Sequence, residues 1–210
     1  MPSLSQIDEL TIGDHSRLAP GDLCYFLREY TSGQNYSYSE TNSLILNFKK
    51  SVLLIDSPSY RYKVQAINKL AGELREALGG SFGGITLVPI PPSRAKVDPE
   101  YDDRLIRLLH EMTQHITVDY RELIVQTETT RSSHASGVTR LTVPELIDVY
   151  TIDESLVQNI KDTIVTIDDV LTAGTHFKAA QYILSQRFPT HQIIGVFLAR
   201  TVRLNDFELI

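Results

Sequence analysis

The stretch Thr163-Ile-Val-Thr-Ile-Asp-Asp-Val-Leu-Thr-Ala-Gly-Thr175 decides how we expect this chain to fold. Its opening residues, Thr163 to Ile167, have the length and apolar character of a buried strand. Asp168 and Asp169 come directly after them, and Thr172 to Thr175 supplies the small residues that can begin a helix. The stretch therefore predicts a strand, a short loop and a helix, in that order.

On either side of this stretch, strand-like and helix-like segments alternate. His176 to Arg187 has apolar residues at helical spacing, and Ile193 to Ala199 is apolar enough for a further strand. Upstream, apolar residues three and four apart predict a helix from Val64 to Leu78 that Gly79-Gly80 ends, and Ile85 to Val88 predicts a strand. This alternation is typical of a doubly wound α/β domain with a mostly parallel sheet.

Two other regions carry less regular patterns. Leu44 to Phe48 and Val52 to Ile55 are short apolar runs around Lys49-Lys50, which predicts a hairpin. Asp98-Pro99 resembles the capped start of a helix, and the apolar residues between Leu105 and Met112 mark the buried face of that helix.

The length of 210 residues suits one α/β domain. We expect the polar residues 1–43 to form an N-terminal appendage or hood, and residues 44–210 to form the domain. A net charge of -6 argues against a protein that chiefly binds nucleic acid, because contacts with phosphates need surplus Lys and Arg. Cys24 is the only cysteine, which excludes a disulfide or a cysteine-based zinc ribbon within the chain.

Neither a membrane span nor a signal peptide is visible in the sequence. No run reaches the roughly 20 apolar residues that cross a bilayer, and the N-terminus lacks a basic start followed by an apolar centre. We therefore expect a cytoplasmic protein.

The acidic pair and the loop after it predict a ligand site. Ligands of open parallel sheets bind beyond the carboxyl ends of the strands, where Asp168 and Asp169 are expected. Two adjacent carboxylates that point in different directions suit two neighbouring ribose hydroxyls. Thr172 to Thr175 would present backbone N–H groups and hydroxyls at the positive end of a helix, which suits a phosphate. The alternative is that the acids only cap the helix and the loop is an ordinary turn.

The same stretch resembles the motif with which type I phosphoribosyltransferases bind 5-phosphoribosyl-1-pyrophosphate (PRPP). That motif has apolar residues, two acids and a loop of the Thr-x-Gly type, and its form in orotate phosphoribosyltransferases is similar to Asp168 to Thr175 here. His176 stands where many relatives have a threonine.

The order of other features resembles the ComF-like branch of this family across residues 44–200. The features are Leu44 to Lys50, Val88 to Pro91 and Gly195 to Arg200. The zinc ribbon of that branch is missing, and Glu100 to Asp103 replaces its usual Arg-Gly-Phe-Asn stretch. The resemblance implies the type I phosphoribosyltransferase fold, with a variable hood above the sheet.

The resemblance also implies a set of site residues. Those for the ribose 5-phosphate would be Asp168, Asp169, Val170, Leu171, Thr172, Ala173, Gly174 and Thr175. Those for pyrophosphate would be Pro92, Ser93 and Arg94. A flexible loop would contain Arg131, His134 and Arg140, with Arg131 joining the acids in catalysis. A strand-end loop with an arginine agrees with anion binding, although Arg94 could equally be a solvated surface residue.

The implied reaction is transfer of the 5-phosphoribosyl group from PRPP to a nitrogen acceptor, such as a nucleobase, with release of pyrophosphate. Asp168 and Asp169 would hold Mg²⁺ through water. One alternative is a protein that senses PRPP or a nucleotide without catalysis and regulates a partner. Another is a receiver-like phosphoacceptor domain, which the late position of the acids disfavours. The family that the chain resembles usually forms homodimers.

Overall fold

The structure is a computed structural model that describes residues 1–130 and 141–202. Arg131, His134 and Arg140, the expected flexible-loop residues, lie outside this part of the chain. The strands and helices are β1 (Ser5–Gln6), β2 (Cys24–Thr31), α1 (Glu40–Phe48), α2 (Arg61–Leu78), β3 (Ile85–Pro89), α3 (Arg104–Thr113), β4 (Ile124–Gln126), α4 (Val143–Val149), β5 (Tyr150–Ile152), β6 (Thr163–Leu171), α5 (Thr175–Arg187) and β7 (Gln192–Val202).

Five strands of the described residues form the central sheet, in the order β1-β2-β7-β6-β3. The strands β2, β7, β6 and β3 run parallel to one another, and β1 at one edge is antiparallel to β2. β4 and β5 form a separate antiparallel pair. The predicted α/β architecture with a mostly parallel sheet is therefore confirmed.

Helices cover both faces of this sheet, as a buried parallel sheet requires. Val165 in β6 packs in the core cluster that contains the buried residues of α1, α2 and α3. Its neighbour Ile164 packs in a second cluster with α4 and α5, because successive strand residues point to opposite faces. Within the described ranges, no helix is both long and apolar enough to cross a membrane.

The region after β2 corrects the predicted hairpin. Leu44 to Phe48 belongs to α1, and Val52–Leu54 is a single 3-10 turn. Ser39 starts α1, since its hydroxyl accepts a hydrogen bond from the backbone N–H of Asn42 at 3.0 Å. The apolar run is too short for its period to distinguish a strand from a helix, and the capping serine lies outside it.

Two predicted boundaries are also corrected. Residues 1–43 do not all lie outside the sheet, because Cys24–Thr31 forms β2 and pairs with β7. α3 begins at Arg104 and not at Asp98-Pro99, although its expected face of Leu105 to Met112 is buried. By contrast, α2 ends where the sequence predicted, at Gly79 with a positive φ of 55°.

Gly195 in β7 offers a test of the packing between the sheet and α5. An added Cβ there would lie 2.9 Å from two ring atoms of Phe177, which is fully buried. We expect Gly195→Ala to lower the free energy of unfolding by about 1–3 kcal/mol, the usual effect of overpacking a core. Urea unfolding measures this change.

Gly84→Ala is the matched control, because a Cβ at Gly84 has no atom within 4 Å. Equal urea midpoints for the two variants would show that the ring of Phe177 does not fill the space beside Gly195.

Candidate functional site

A cleft lies where the carboxyl ends of β3 and β6 meet. Pro89 at the end of β3 pairs with Ile167 in β6, so the segments that follow these two residues are neighbours. The cleft is lined by acidic, basic and apolar side chains, among them Pro92, Arg94, Arg104, Ile124, Gln126 and Asp168. Its volume is about 40 Å³, so a sugar phosphate could enter only if side chains moved.

The two acids lie past the end of β3 but still within β6. Pairing between β6 and β7 continues to Leu171, which corrects the prediction that the strand ends at Ile167. Because neighbouring residues of a strand point to opposite faces, Asp168 and Asp169 face different surroundings. Asp168 lines the cleft, whereas Asp169 is buried with 5% of its surface exposed.

Asp169 is paired with two cations from the helical layer. Arg104 donates to Asp169 Oδ2 from Nη2 at 2.5 Å and from Nε at 3.0 Å. Lys49 Nζ lies 3.2 Å from Asp169 Oδ1. Burial alone would raise the pKa of Asp169, but the charges of Lys49 and Arg104 outweigh it and hold this pKa well below its usual range.

Asp168 forms no ion pair within the described residues. Its Oδ1 accepts a hydrogen bond from the backbone N–H of Asp169 at 2.7 Å. Burial and, after it, the negative charge of Asp169 raise the pKa of Asp168 to about 7. The two adjacent acids thus differ in charge near neutral pH, because the available cations favour one of them.

Further ion pairs extend this arrangement to α2. Asp102 Oδ2 accepts from Arg104 Nη1 at 2.8 Å and from Lys63 Nζ at 2.8 Å. The fully buried Lys63 also donates to the carbonyl oxygens of Phe48 at 3.0 Å and Lys50 at 2.8 Å. We call Lys63, Asp102, Arg104, Asp169 and Lys49 the charge chain.

The expected phosphate loop connects β6 to α5. Val170 and Leu171 are buried in the core, so within this segment the loop proper begins at Thr172. Gly174 precedes α5 with φ of 90°, in the left-handed region that favours glycine. An added Cβ at this glycine would lie 2.9 Å from Leu18, so the N-terminal segment packs closely over the loop.

Two hydrogen bonds fix the orientation of this loop. His15 Nδ1 donates to the carbonyl oxygen of Thr172 at 2.5 Å. The backbone N–H of Arg17 donates to the carbonyl oxygen of Ala173 at 2.8 Å. In a trans peptide the carbonyl and the next N–H point in opposite directions. The N–H groups of Ala173 and Gly174 therefore point away from the N-terminal segment.

The expected pyrophosphate loop is held by neighbouring residues. Arg94 forms ion pairs with Asp98 at 3.3 Å and with Glu100 at 2.6 Å. The carbonyl oxygen of Ser93 accepts from the backbone N–H of Thr130 at 2.7 Å and from Gln126 Nε2 at 2.5 Å. Pro92 and Arg94 line the same cleft as Asp168, so the structure brings these predicted residues together.

His176 lies in the first turn of α5, next to the loop. Its Nδ1 is 2.8 Å from the hydroxyl of Tyr150. Burial lowers the pKa of His176 to about 4, so this ring is neutral at neutral pH. It therefore adds a polar contact beside the loop but no positive charge for a phosphate.

Sequence reasoning did not identify His15, Arg17 or Arg104 as parts of the site. Lys49 appeared only in the pair Lys49-Lys50 between two apolar runs and within the segment Leu44 to Lys50. Each of these residues reaches the site through contacts that are distant in sequence, and none belongs to the motif at Thr163 to Thr175. One available signal was the buried acid itself, since a buried carboxylate needs a cationic partner.

Among residues 1–130 and 141–202, no group of three or more His, Cys, Asp or Glu side chains could hold a metal ion by itself. The carboxylate of Asp168 is a hard oxygen donor that lines the cleft. It fits an Mg²⁺ ion that a ligand brings with it and that the protein contacts through water.

Comparison with models of known protein families found no match, and neither did a search of curated proteins.

Asp168→Asn tests the unequal ionisation of the two acids. The folded pKa of Asp168, about 7, lies above the value of about 3.9 in an unfolded chain. The folded protein therefore binds more protons than the unfolded chain between these pH values, and ionisation of Asp168 costs stability as the pH rises. We expect wild type to lose stability relative to Asp168→Asn between about pH 4 and about pH 7, and the difference to level off above that pH.

Urea midpoints at several pH values measure this difference. Asp56→Asn, which changes an exposed acid outside the cleft, is the control and should keep the wild-type slope. Parallel curves for wild type and Asp168→Asn would contradict the raised pKa.

Proposed function

We propose that this chain has the type I phosphoribosyltransferase fold, binds PRPP, and transfers its 5-phosphoribosyl group to a nitrogen acceptor. The observation that carries the proposal is the placement of Asp168 in the cleft, only four residues before the loop at Thr172 to Thr175. One segment thus offers an acceptor for ribose hydroxyls and donors for the 5-phosphate.

The loop suits the 5-phosphate because its N–H groups are oriented by the N-terminal segment. The bonds from His15 and Arg17 hold the two carbonyl oxygens on one side. The first turn of α5 adds unpaired N–H groups and the positive end of the helix dipole. Backbone donors of this kind bind a phosphate in many helix-start sites.

Arg94 supplies the cation for the pyrophosphate. Its present partners Asp98 and Glu100 form ion pairs near the surface, where such pairs contribute about 0–1 kcal/mol. A pyrophosphate, with more negative charge than one carboxylate, can displace them. Movement of Arg94 would also widen the cleft that it lines.

The reaction breaks the bond between ribose C1 and the pyrophosphate oxygen, and the pyrophosphate leaves with the electron pair. A new bond joins C1 to the acceptor nitrogen, which gives up a proton to solvent. Positive charge develops on the ribose ring during this exchange. Ionised Asp168 can stabilise this charge at close range in the cleft.

Mg²⁺, when bound with PRPP, supplies positive charge that neutralises the pyrophosphate oxygens. Asp168 would hold its coordinated water, with Asp169 as a second acceptor only after release from Arg104 and Lys49. The positive charge of the ion also favours the ionised form of Asp168. The acid with the raised pKa would thus become charged on ligand binding.

A second candidate is a PRPP or nucleotide sensor without catalysis. The ion pairs of Asp169 with Arg104 and Lys49 favour it, because they occupy one of the two acids that the reaction is expected to use. A ligand could still bind through Asp168 and the loop. Both candidates predict binding, and only the enzyme predicts release of pyrophosphate.

Titration calorimetry with PRPP and Mg²⁺ tests the shared part of both candidates. We expect Asp168→Asn to lower the affinity by about tenfold or more, because it removes a charged acceptor. Asp148→Asn, an exposed acid in α4, should bind like wild type. Unchanged affinity in the folded variant Asp168→Asn, or in Asp168→Asn with Asp169→Asn, would remove the proposed site.

Pyrophosphate release separates the enzyme from the sensor. With PRPP, Mg²⁺ and a panel of nucleobases, we expect release with at least one base and a rate at least about tenfold lower in Asp168→Asn. Binding of PRPP by wild type without release against any base would favour the sensor.

A further inference from the structure

Gln126 at the end of β4 is a buried polar side chain in the wall of the cleft, with 4% of its surface exposed. Its Nε2 donates to the carbonyl oxygens of Ser93 at 2.5 Å and Glu128 at 2.8 Å, and to the hydroxyl of Thr130 at 3.2 Å. The amide nitrogen thus ties the expected pyrophosphate loop to the segment after β4.

These contacts determine which way the amide points. Carbonyl oxygens only accept hydrogen bonds, so the nitrogen must face Ser93 and Glu128, and Oε1 must face the other way. Oε1 of Gln126 is buried and has no hydrogen-bond partner within the described residues. A buried acceptor without a donor is rare and destabilising, which points to a ligand that supplies the donor.

The surroundings favour a planar ligand over a sugar. The lining that Gln126 belongs to includes the apolar side chains of Ile90, Pro91 and Ile124. A sugar against this wall would leave hydroxyl groups without partners, whereas the face of a nitrogen heterocycle would not. The ring N–H of such a heterocycle is a donor of the kind that Oε1 needs.

We propose that Gln126 Oε1 accepts a hydrogen bond from an N–H group of a planar nitrogen heterocycle, which is the acceptor of the transfer reaction. This inference rests on the proposed function and adds the residue that selects the acceptor. Asp168 lines the same cleft as Gln126, so a heterocycle at Gln126 and a ribose at Asp168 would share this cleft.

Selectivity between heterocycles tests this role. The probes are uracil, hypoxanthine and adenine, each with derivatives in which one N–H is methylated, titrated into the full chain with Mg²⁺ and pyrophosphate. We expect wild type to bind at least one base about tenfold more tightly than one of its methylated derivatives, a ratio typical of a hydrogen bond to a buried acceptor. In Gln126→Met this ratio should fall to about one.

Two variants distinguish the role of the hydrogen-bond acceptor Oε1 from the role of the contacts made by Nε2. Thr130→Val removes one Nε2 contact and leaves Oε1 in place, so its ratio should stay near tenfold. Gln126→Glu keeps an acceptor oxygen, and its protonated carboxyl group can donate to one of the carbonyl oxygens that Nε2 contacts, so it should retain the preference for the N–H form. It also provides a folded comparison if circular dichroism shows that Gln126→Met is unfolded.

The inference is wrong if no probe base binds wild type, if the ratio is unchanged in Gln126→Met, or if Thr130→Val and Gln126→Glu lose it as well. A loss of affinity for PRPP alone in Gln126→Met would assign Oε1 to a sugar hydroxyl and would also overturn it. If bases bind with the expected ratio but PRPP does not bind, the transfer reaction fails and the heterocycle site stands.

Discussion

The buried carboxylate of Asp169 constrains the arrangement of the whole helical layer. A charge with 5% exposure must be paired, and losing one partner of such a pair typically costs about 3–5 kcal/mol. Its partners come from the residue after α1 and from the first residue of α3. Lys63 from α2 completes the charge chain through Asp102, so three helices are held to the carboxyl end of one strand.

The same pairing makes two chemically similar acids unequal. Lys49 and Arg104 keep Asp169 ionised, and its charge then adds to burial in raising the pKa of Asp168 to about 7. Asp168 is consequently the acid whose charge a cationic or metal-bearing ligand can change near neutral pH. Of the two adjacent acids, Asp169 is thus held in ion pairs that stabilise the fold, and the proposed role in ligand binding falls to Asp168.

The sequence predicted those elements whose signals are local. α2 has an apolar stripe over several turns and a terminal glycine, and the segment Ile164 to Ile167 of β6 is nearly apolar. The prediction of a strand at Leu44 to Phe48 was wrong because this run is too short to show its period. The contact that starts α1 is the hydrogen bond that Ser39 accepts, and Ser39 lies outside the run. β2 was overlooked because residues 1–43 are mostly polar, although Cys24 and Phe26 alternate as buried strand residues do.

The side chains that define the site could not be predicted in the same way. His15 reaches Thr172 across 157 positions, and Arg104 reaches Asp169 across 65, so only the packed fold brings them together. Gln126 is an ordinary polar residue in the sequence, and its proposed role follows from which amide atom has hydrogen-bond partners. A motif can therefore indicate a ligand, whereas the chemistry performed on it depends on how distant residues set charge and hydrogen bonding around Asp168.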